Sequence, residues 1–202
     1  ADLFCGAGGS AVGLYRAGFE VVGFDIETQG SYPFKHYVQN ALTVDLSEFD
    51  AVWASPPCQL YSISRLHDLD GDRKYPDYIP RVRETLIESG LPYIMENVGN
   101  APLNSPVMLC GESFNLRVTR HRFFESNQVI YAPKHPVHRG LAHTKLADGN
   151  FYYCVYGHML GTKEQWGQAM GIDWMKSKAE LSQAIPPAYS EYLGRQFRES
   201  II

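Results

Sequence analysis

Cys58 stands in the stretch SPPCQ, directly after Pro56 and Pro57. Two successive prolines fix φ twice and remove two backbone donors, so this turn is stiff and poorly suited to sheet pairing. A stiff turn suits a nucleophile whose angle of attack must be held. A thiol kept for packing, the commoner fate of a free cysteine, does not need that frame. Glu96 is a carboxyl in the apolar run LPYIMENV. Buried there it needs a partner, and in its protonated form it could hydrogen-bond to a ring nitrogen of a base. Gly6, Gly8 and Gly9 make the loop CGAGGS, in which a ligand can approach the backbone closely. The helix N-terminus beyond that loop attracts negative charge, such as a carboxylate. Asp25 ends the next apolar run, FEVVGFDI. A carboxylate at that place can accept hydrogen bonds from both ribose hydroxyls of a nucleoside cofactor. Loop and acid together suit NAD as well as S-adenosylmethionine. The full G-x-G-x-x-G spacing is missing, which counts against a dinucleotide.

The elements that must position these groups alternate along the first hundred residues. ADLF reads as the end of a strand and AVGLYRAG as a short helix closed by Gly18. FEVVGFDI and FDAVWASPP read as strands, YIPRVRETLIES (78–89) as a helix stopped by Gly90, and LPYIMENV as a further strand. Strands alternating with helices predict an α/β fold, a mainly parallel sheet covered on both faces. The glycine loop, Asp25, Cys58 and Glu96 all fall at the carboxyl ends of strands, where such sheets bind ligands. From about 115 to 160 the chain is loop-rich and locally basic, with Arg117, Arg120, Arg122, Lys134, Arg139 and Lys145, plus His121, His135, His138 and His143. KEQWGQAMG, KAELSQAI and AYSEYLGRQFRES then predict three helices, with a break at Pro186–Pro187.

Bulk properties bound the function. A chain of 202 residues, 45% hydrophobic and 20% charged, fits one ordinary globular domain or a domain with a small appendage. No apolar run is long enough to span a bilayer, and no signal peptide is visible. The opening ADLF predicts that a few residues of the first strand precede residue 1. The four cysteines are widely spaced with no C-x-x-C pair, which argues for a reducing compartment, and the expected location is cytoplasmic. A formal net charge of -4 announces no global nucleic-acid partner, so any basic surface is local.

DLFCGAGGS, SPPCQ, ENV and TRHR occur in this order. Together they closely resemble the cytosine-C5 DNA methyltransferases, in particular the short, phage-type members, over nearly the whole chain from Asp2 to about Gln196. The resemblance implies a Rossmann-like methyltransferase fold with a small irregular target-recognition insertion. It divides the chain into a catalytic and cofactor core (1–122), a small basic recognition segment (123–164) and C-terminal helices completing the core (165–202). It implies that Phe4, Gly6 and Gly8 hold S-adenosylmethionine and that Asp25 holds its ribose, with Ile26 and Pro56 in the same pocket. Cys58 would be the thiolate that adds to C6 of a flipped-out cytosine. Glu96 would contact N3 and the exocyclic amine. Arg122, with Arg120 beside it, would steady the flipped base and nearby phosphate and lower the Cys58 pKa. Gln59 and Asn97 would support them, and Tyr61, Arg117, His121 and Arg139 would lie on the nucleic-acid side. The partner implied is double-stranded DNA, met by a monomer. The same resemblance allows tRNA as substrate, or a catalytically silent DNA-binding homologue.

Two departures touch the cofactor pocket. Asn40, in YVQNAL, stands where the family has an acid that contacts the adenine amine, with Asp45 as a possible substitute. Gln183, in SQAIPP, stands where an asparagine would be. These changes are neutral or mark a modified sulfonium cofactor. The recognition segment is short, so few base contacts are expected, and its basic excess fits phosphate contacts, which position without specifying. His135, His138, Cys154 and His158 have the spacing H-x-x-H…C-x-x-x-H, which could in principle fill a tetrahedral zinc site. Surface or phosphate-facing histidines are commoner, and no metal is expected. YYCVYGH alternates like a strand that puts Cys154, Tyr156 and His158 on one face.

Overall fold

A computed structural model describes residues 1–62, 75–138, 151–157 and 159–201. Seven strands form one sheet in the order β3-β2-β1-β4-β5-β7-β6. They are β1 (Asp2–Leu3), β2 (Val22–Asp25), β3 (Lys35–Val38), β4 (Val52–Ala54), β5 (Tyr93–Asn97), β6 (Val107–Leu109) and β7 (Arg122–Ser126). The first five pair in parallel. β7 runs antiparallel to both β5 and β6, so the sheet is mixed at that edge. The α/β fold with a mostly parallel sheet therefore stands as read from the sequence.

The helices are α1 (Gly9–Arg16), α2 (Ile79–Glu88), α3 (Lys163–Met170), α4 (Lys178–Gln183) and α5 (Pro187–Ile201). Successive strand side chains go to opposite faces, and both faces are covered. Leu3, Phe24, Ala54 and Met95 pack on Ile79, Val82 and Leu86 of α2. Trp53, Ile94, Leu109 and Phe124 pack on Ala11 and Leu14 of α1 and on Tyr189, Leu193 and Phe197 of α5. Each large apolar side chain so buried contributes about 1.5–3 kcal/mol. A third cluster, around Trp166, Met170, Ile172, Met175 and Leu181, joins α3 and α4 to Ala7 in the glycine loop.

Helices α3 and α4 start where their sequences direct. Thr162 with Gln165, and Ser177 with Glu180, form capping boxes that satisfy otherwise orphaned N–H groups. Helix α1 lies close against α5: a Cβ on Gly13 would stand 2.1 Å from the Pro187 carbonyl oxygen and from Ser190 Oγ. Arg83 of α2 clamps the far edge. Its Nε and Nη2 donate to Glu125 of β7 at 2.9 and 2.7 Å, and Tyr93 Oη and Asn104 N donate to the same carboxylate.

Residues 123–126, the start of the segment expected to serve recognition, lie in β7, inside the sheet. YYCVYGH departs from its expected strand over its described part: Tyr152 and Val155 are the buried positions, a spacing of three, and no strand forms at 152–157. Among the described residues no helix is long and apolar enough to cross a membrane.

Candidate active site

The Cys58 turn leaves β4 after Ala54. Ser55 N still donates to the Leu3 carbonyl at 3.1 Å, and then Pro56 and Pro57 end the pairing. The Pro56 carbonyl accepts a 2.9 Å hydrogen bond from Asn97 Nδ2 at the end of β5. The Cys58 carbonyl accepts from Tyr61 N and Ser62 N at 3.0 and 2.9 Å, which closes a turn directly behind the thiol. Cys58 is half-buried.

Glu96 precedes Asn97 on β5 and so faces the opposite side of the sheet. Its Oε1 pairs with Arg122 Nε of β7 at 3.0 Å, and both side chains are largely buried. Arg122 Nη1 also donates to the His121 carbonyl at 2.9 Å. Burial pushes the Glu96 carboxyl above the ordinary glutamate range, with Arg122 and Arg120 opposing. Burial also pushes the Cys58 thiol up, and the Glu96 charge adds to this. Arg122 and Arg120 pull it down by less. The expected lowering of the thiol pKa by Arg122 is therefore outweighed in the protein alone, because the turn is dry and shared with a carboxylate.

Arg120 is placed differently from the expectation that it steadies a base or phosphate. Its Nε, Nη1 and Nη2 donate to the carbonyls of Ala184, Val155 and Ser182 at 2.9, 2.6 and 2.6 Å. Burial and the like charge of Arg122 weigh against the Arg120 charge, and three carbonyl dipoles offset them. Its backbone sits at φ 36°, a region few non-glycine residues adopt. Tyr189 Oη of α5 donates to its carbonyl at 2.9 Å and holds that turn. Arg120 thus ties the TRHR turn to the C-terminal segment.

At the glycine loop, Phe4 has φ 58° and Gly6 φ 47°. Backbone strain of this kind gathers at ligand-binding turns. Gly6 N donates to Asp25 Oδ2 at 3.0 Å, and Glu27 N donates to Oδ1 at 3.1 Å. Each carboxylate oxygen keeps a further lone pair for a ligand hydroxyl. A Cβ on Gly6 would meet nothing within 4 Å, so the loop backbone faces open space. Ile26, beside Asp25, is 73% exposed, an apolar surface at the rim of that space. These residues fit a nucleoside-bearing cofactor. The C-terminal segment closes the loop from the other side: Trp174 Nε1 donates to the Ala7 carbonyl at 2.9 Å, and a Cβ on Gly9 would stand 2.3 Å from the Ile185 carbonyl oxygen. Gln183 is exposed at the end of α4. Asn40 is exposed, and its Oδ1 already accepts from Leu42 N at 3.0 Å, so it caps a local turn.

The residues expected on the nucleic-acid side separate. Gln59 is exposed next to Cys58. Asn97 is fully buried and holds the Cys58 turn through the Pro56 carbonyl instead of facing solvent. The Tyr61 ring packs against the core cluster under β4 and β5. The backbone of Arg117 bridges Ala169 of α3 and Tyr153. His121 Nε2 lies 3.1 Å from His135 Nε2, within a group of histidines. Arg139 and His158 lie outside the described residues. The positioning roles of Asn97 and Arg120 carried no sequence signal, since each depends on carbonyls supplied by distant segments.

The family model of the C-5 cytosine-specific DNA methylases matches residues 1–102, half of the chain, spanning the glycine loop, Asp25, the Cys58 turn and Glu96. No curated protein matches. A solved DNA modification methyltransferase encoded within an E. coli prophage is similar, with a TM-score of 0.69 at 12% identity over 99% of this chain and 98% of that chain. The Entamoeba histolytica methyltransferase EhMeth is similar with a TM-score of 0.58, also at 12% identity, over 100% of this chain and 98% of that one. At such identity the likeness speaks for the fold, and it places the whole chain in the methyltransferase architecture. With its first half matched by the family model and its fold shared end to end, the chain belongs to the C-5 cytosine-specific DNA methylase family.

Proposed function

We propose that the chain methylates C5 of cytosine in double-stranded DNA, with S-adenosylmethionine as donor, through a covalent adduct of Cys58. The observation that carries this reading is a convergence of three strand ends. The Cys58 turn is pinned through the Pro56 carbonyl to Asn97, Glu96 is the adjacent residue on β5, and Arg122 of β7 is ion-paired to Glu96. Cytosine C5 is a weak nucleophile. Addition of the Cys58 thiolate to C6 makes the ring an enamine, which divides one hard step into two easier ones. The ring electrons displaced by the sulfur move toward N3, where protonated Glu96 donates. S-adenosylmethionine would supply an electrophilic sulfonium methyl group to C5, its carbon–sulfur bond breaking to leave the neutral thioether S-adenosylhomocysteine. Transfer of the C5 proton to solvent re-forms the ring double bond and expels the Cys58 thiolate, and Glu96 recovers its proton from N3. Arg122 keeps the Glu96 carboxyl oriented throughout. Asp25, Gly6 and Ile26 would hold the nucleoside end of the donor, and Phe4 and Gly8 shape the loop beside it. The base reaches this buried group only when it is out of the duplex stack, at a cost of a few kcal/mol.

The test is incorporation of labelled methyl into duplex DNA, with tRNA as a separate substrate, together with trapping on DNA containing 5-fluorocytosine. A covalent adduct with wild-type protein is expected, and none with Cys58→Ala, which should still bind S-adenosylmethionine in calorimetry. Donor binding with neither adduct nor incorporation would overturn the reading.

A further inference from the structure

Outside the methyl-transfer site, one group of side chains has the chemistry of a metal centre. Cys110, His121, His135 and His138 bring one ligand atom each within 4.8 Å of all the others, and among the described residues no other such group of cysteine, histidine or carboxylate side chains gathers. Cys110 follows β6 and is buried. His121 immediately precedes β7, and His135 and His138 come from HPVH in the basic segment beyond it. Three pieces of chain spread over 28 residues thus converge.

Three of the six distances between ligand atoms fit a common tetrahedral ion, and all six lie within 4.8 Å. His121 Nε2 to His135 Nε2 is 3.1 Å, His135 Nε2 to His138 Nε2 is 3.3 Å, and His138 Nε2 to Cys110 Sγ is 3.6 Å. With Zn–N of about 2.0–2.1 Å and Zn–S of about 2.3 Å at tetrahedral angles, the expected edges are about 3.3–3.4 Å for N···N and about 3.5–3.6 Å for S···N. All three observed edges fall within about 0.3 Å of these values. Hydrogen bonding accounts for the cluster less well. Each Nε2 either carries a proton or accepts one. If His135 Nε2 is protonated, its single hydrogen must serve both neighbours. If it accepts, His138 Nε2 must be protonated and cannot accept from the Cys110 thiol. A cation takes a lone pair from all four at once. The rings stand 5.0–5.2 Å apart, centroid to centroid, and are tilted rather than stacked, as ligands around a common point are.

We infer that Cys110, His121, His135 and His138 form a structural zinc site that fastens the basic segment to the β6–β7 edge of the sheet. One thiolate and three imidazoles make a closed tetrahedral set with no position left for water, the pattern of a structural rather than a catalytic centre. His121 couples the site to the active centre, because its carbonyl receives Arg122 Nη1 while Arg122 holds Glu96. The bound ion would also leave a net positive charge beside Lys134, on the side where a phosphate backbone is expected.

Of the spacing H-x-x-H…C-x-x-x-H, His135 and His138 belong to this group, and His158 lies outside the described residues. The nearer Cys154 does not join them, and Cys110 and His121 do.

The experiment is metal analysis of protein made without a histidine tag, followed by cobalt substitution. About one zinc per chain is expected. The cobalt form should show the ligand-field bands of a tetrahedral site and a thiolate charge-transfer band. Cys110→Ser should abolish the charge-transfer band and weaken zinc binding by about 100-fold or more. Cys154→Ser should leave both unchanged. Because Cys110 is buried and its variant can misfold, His135→Gln and His138→Gln on the exposed segment are measured in parallel, and each should weaken zinc by a similar factor. Stripping zinc from wild-type protein should speed proteolysis within residues 131–138. Metal-free protein that takes up no zinc at micromolar concentration, or His135→Gln and His138→Gln variants that bind zinc as tightly as wild type, would overturn the proposal.

Discussion

Asn97 gives the sharpest test of how the thiol is held. Its Nδ2 donates to the Pro56 carbonyl and its Oδ1 accepts from Val98 N, both at 2.9 Å, and the side chain is fully buried. Asn97→Ala removes both bonds. Leaving a buried partner unpaired costs about 1–3 kcal/mol. The Pro56 carbonyl is buried and bears that cost, whereas the Val98 N–H is half-buried and regains water in part, so a loss of about 2–4 kcal/mol in stability is expected. Asn97→Asp is more selective: it still accepts from Val98 N but sets a carboxylate oxygen against the Pro56 carbonyl. With the turn released, a displacement of about 1 Å at Cys58 should slow methyl transfer about 100-fold, or about 2.7 kcal/mol in barrier. Donor affinity should not change, since the glycine loop and Asp25 are untouched. The assay is single-turnover methyl transfer at saturating S-adenosylmethionine, beside urea unfolding and donor calorimetry. If either variant reacts within about threefold of wild type, the prolines alone fix the turn and the reasoning fails.

Three more outcomes follow from the same geometry. The single-turnover rate should rise with pH across the alkaline range, because burial and the Glu96 charge push the Cys58 thiol up. Arg122→Gln should move that rise to higher pH and Glu96→Gln to lower pH, as pH–rate profiles will show; a shift of opposite sign in either would refute the assignment. Arg83→Met leaves Glu125 buried without its ion-pair partner and should cost about 3–5 kcal/mol in urea unfolding at neutral pH. Burial alone would raise the Glu125 pKa, but the Arg83 bonds and the Asn104 N–H outweigh it and hold the carboxyl below the ordinary range. That stabilisation is present above the ordinary glutamate pKa and fades as pH falls through the folded value, so the deficit of Arg83→Met should shrink in acid. Gly13→Ala places a methyl group 2.1 Å from the Pro187 carbonyl and should cost about 1–3 kcal/mol by pushing α1 off α5, read from the urea midpoint.

Much of the sheet was legible because its inner strands are long apolar runs closed by turn chemistry. VVGFD, AVWASPP and YIMEN announce themselves, and so do the polar groups at their ends. The edge was not legible. β3 is four residues with little burial, β6 is three residues, and β7 is concealed in a segment whose arginines draw attention to function. YYCVYGH misled because its alternation of types is not an alternation of environments: Tyr152 and Val155 are buried three residues apart. At the candidate site, residue type singled out Cys58, Glu96 and Arg122, but it could not tell which polar side chains are spent on backbone. Asn97 and Arg120 are both spent in this way, on carbonyls 35 to 64 residues away. Spacing also favoured Cys154 as partner of HPVH, because nothing in a linear pattern brings the end of β6 beside it.

Helix α5 has a consequence for how the protein must be made. It supports α1 behind the glycine loop, with Arg198 Nη1 donating to the Ala17 carbonyl across 181 residues, and its Tyr189 holds the Arg120 turn. During translation the first helix therefore emerges long before its scaffold exists, and neither the glycine loop nor the arginine turn can set until α5 has been synthesised. Such late, sequence-distant closure slows folding and leaves the early half exposed to aggregation and to proteases while it waits.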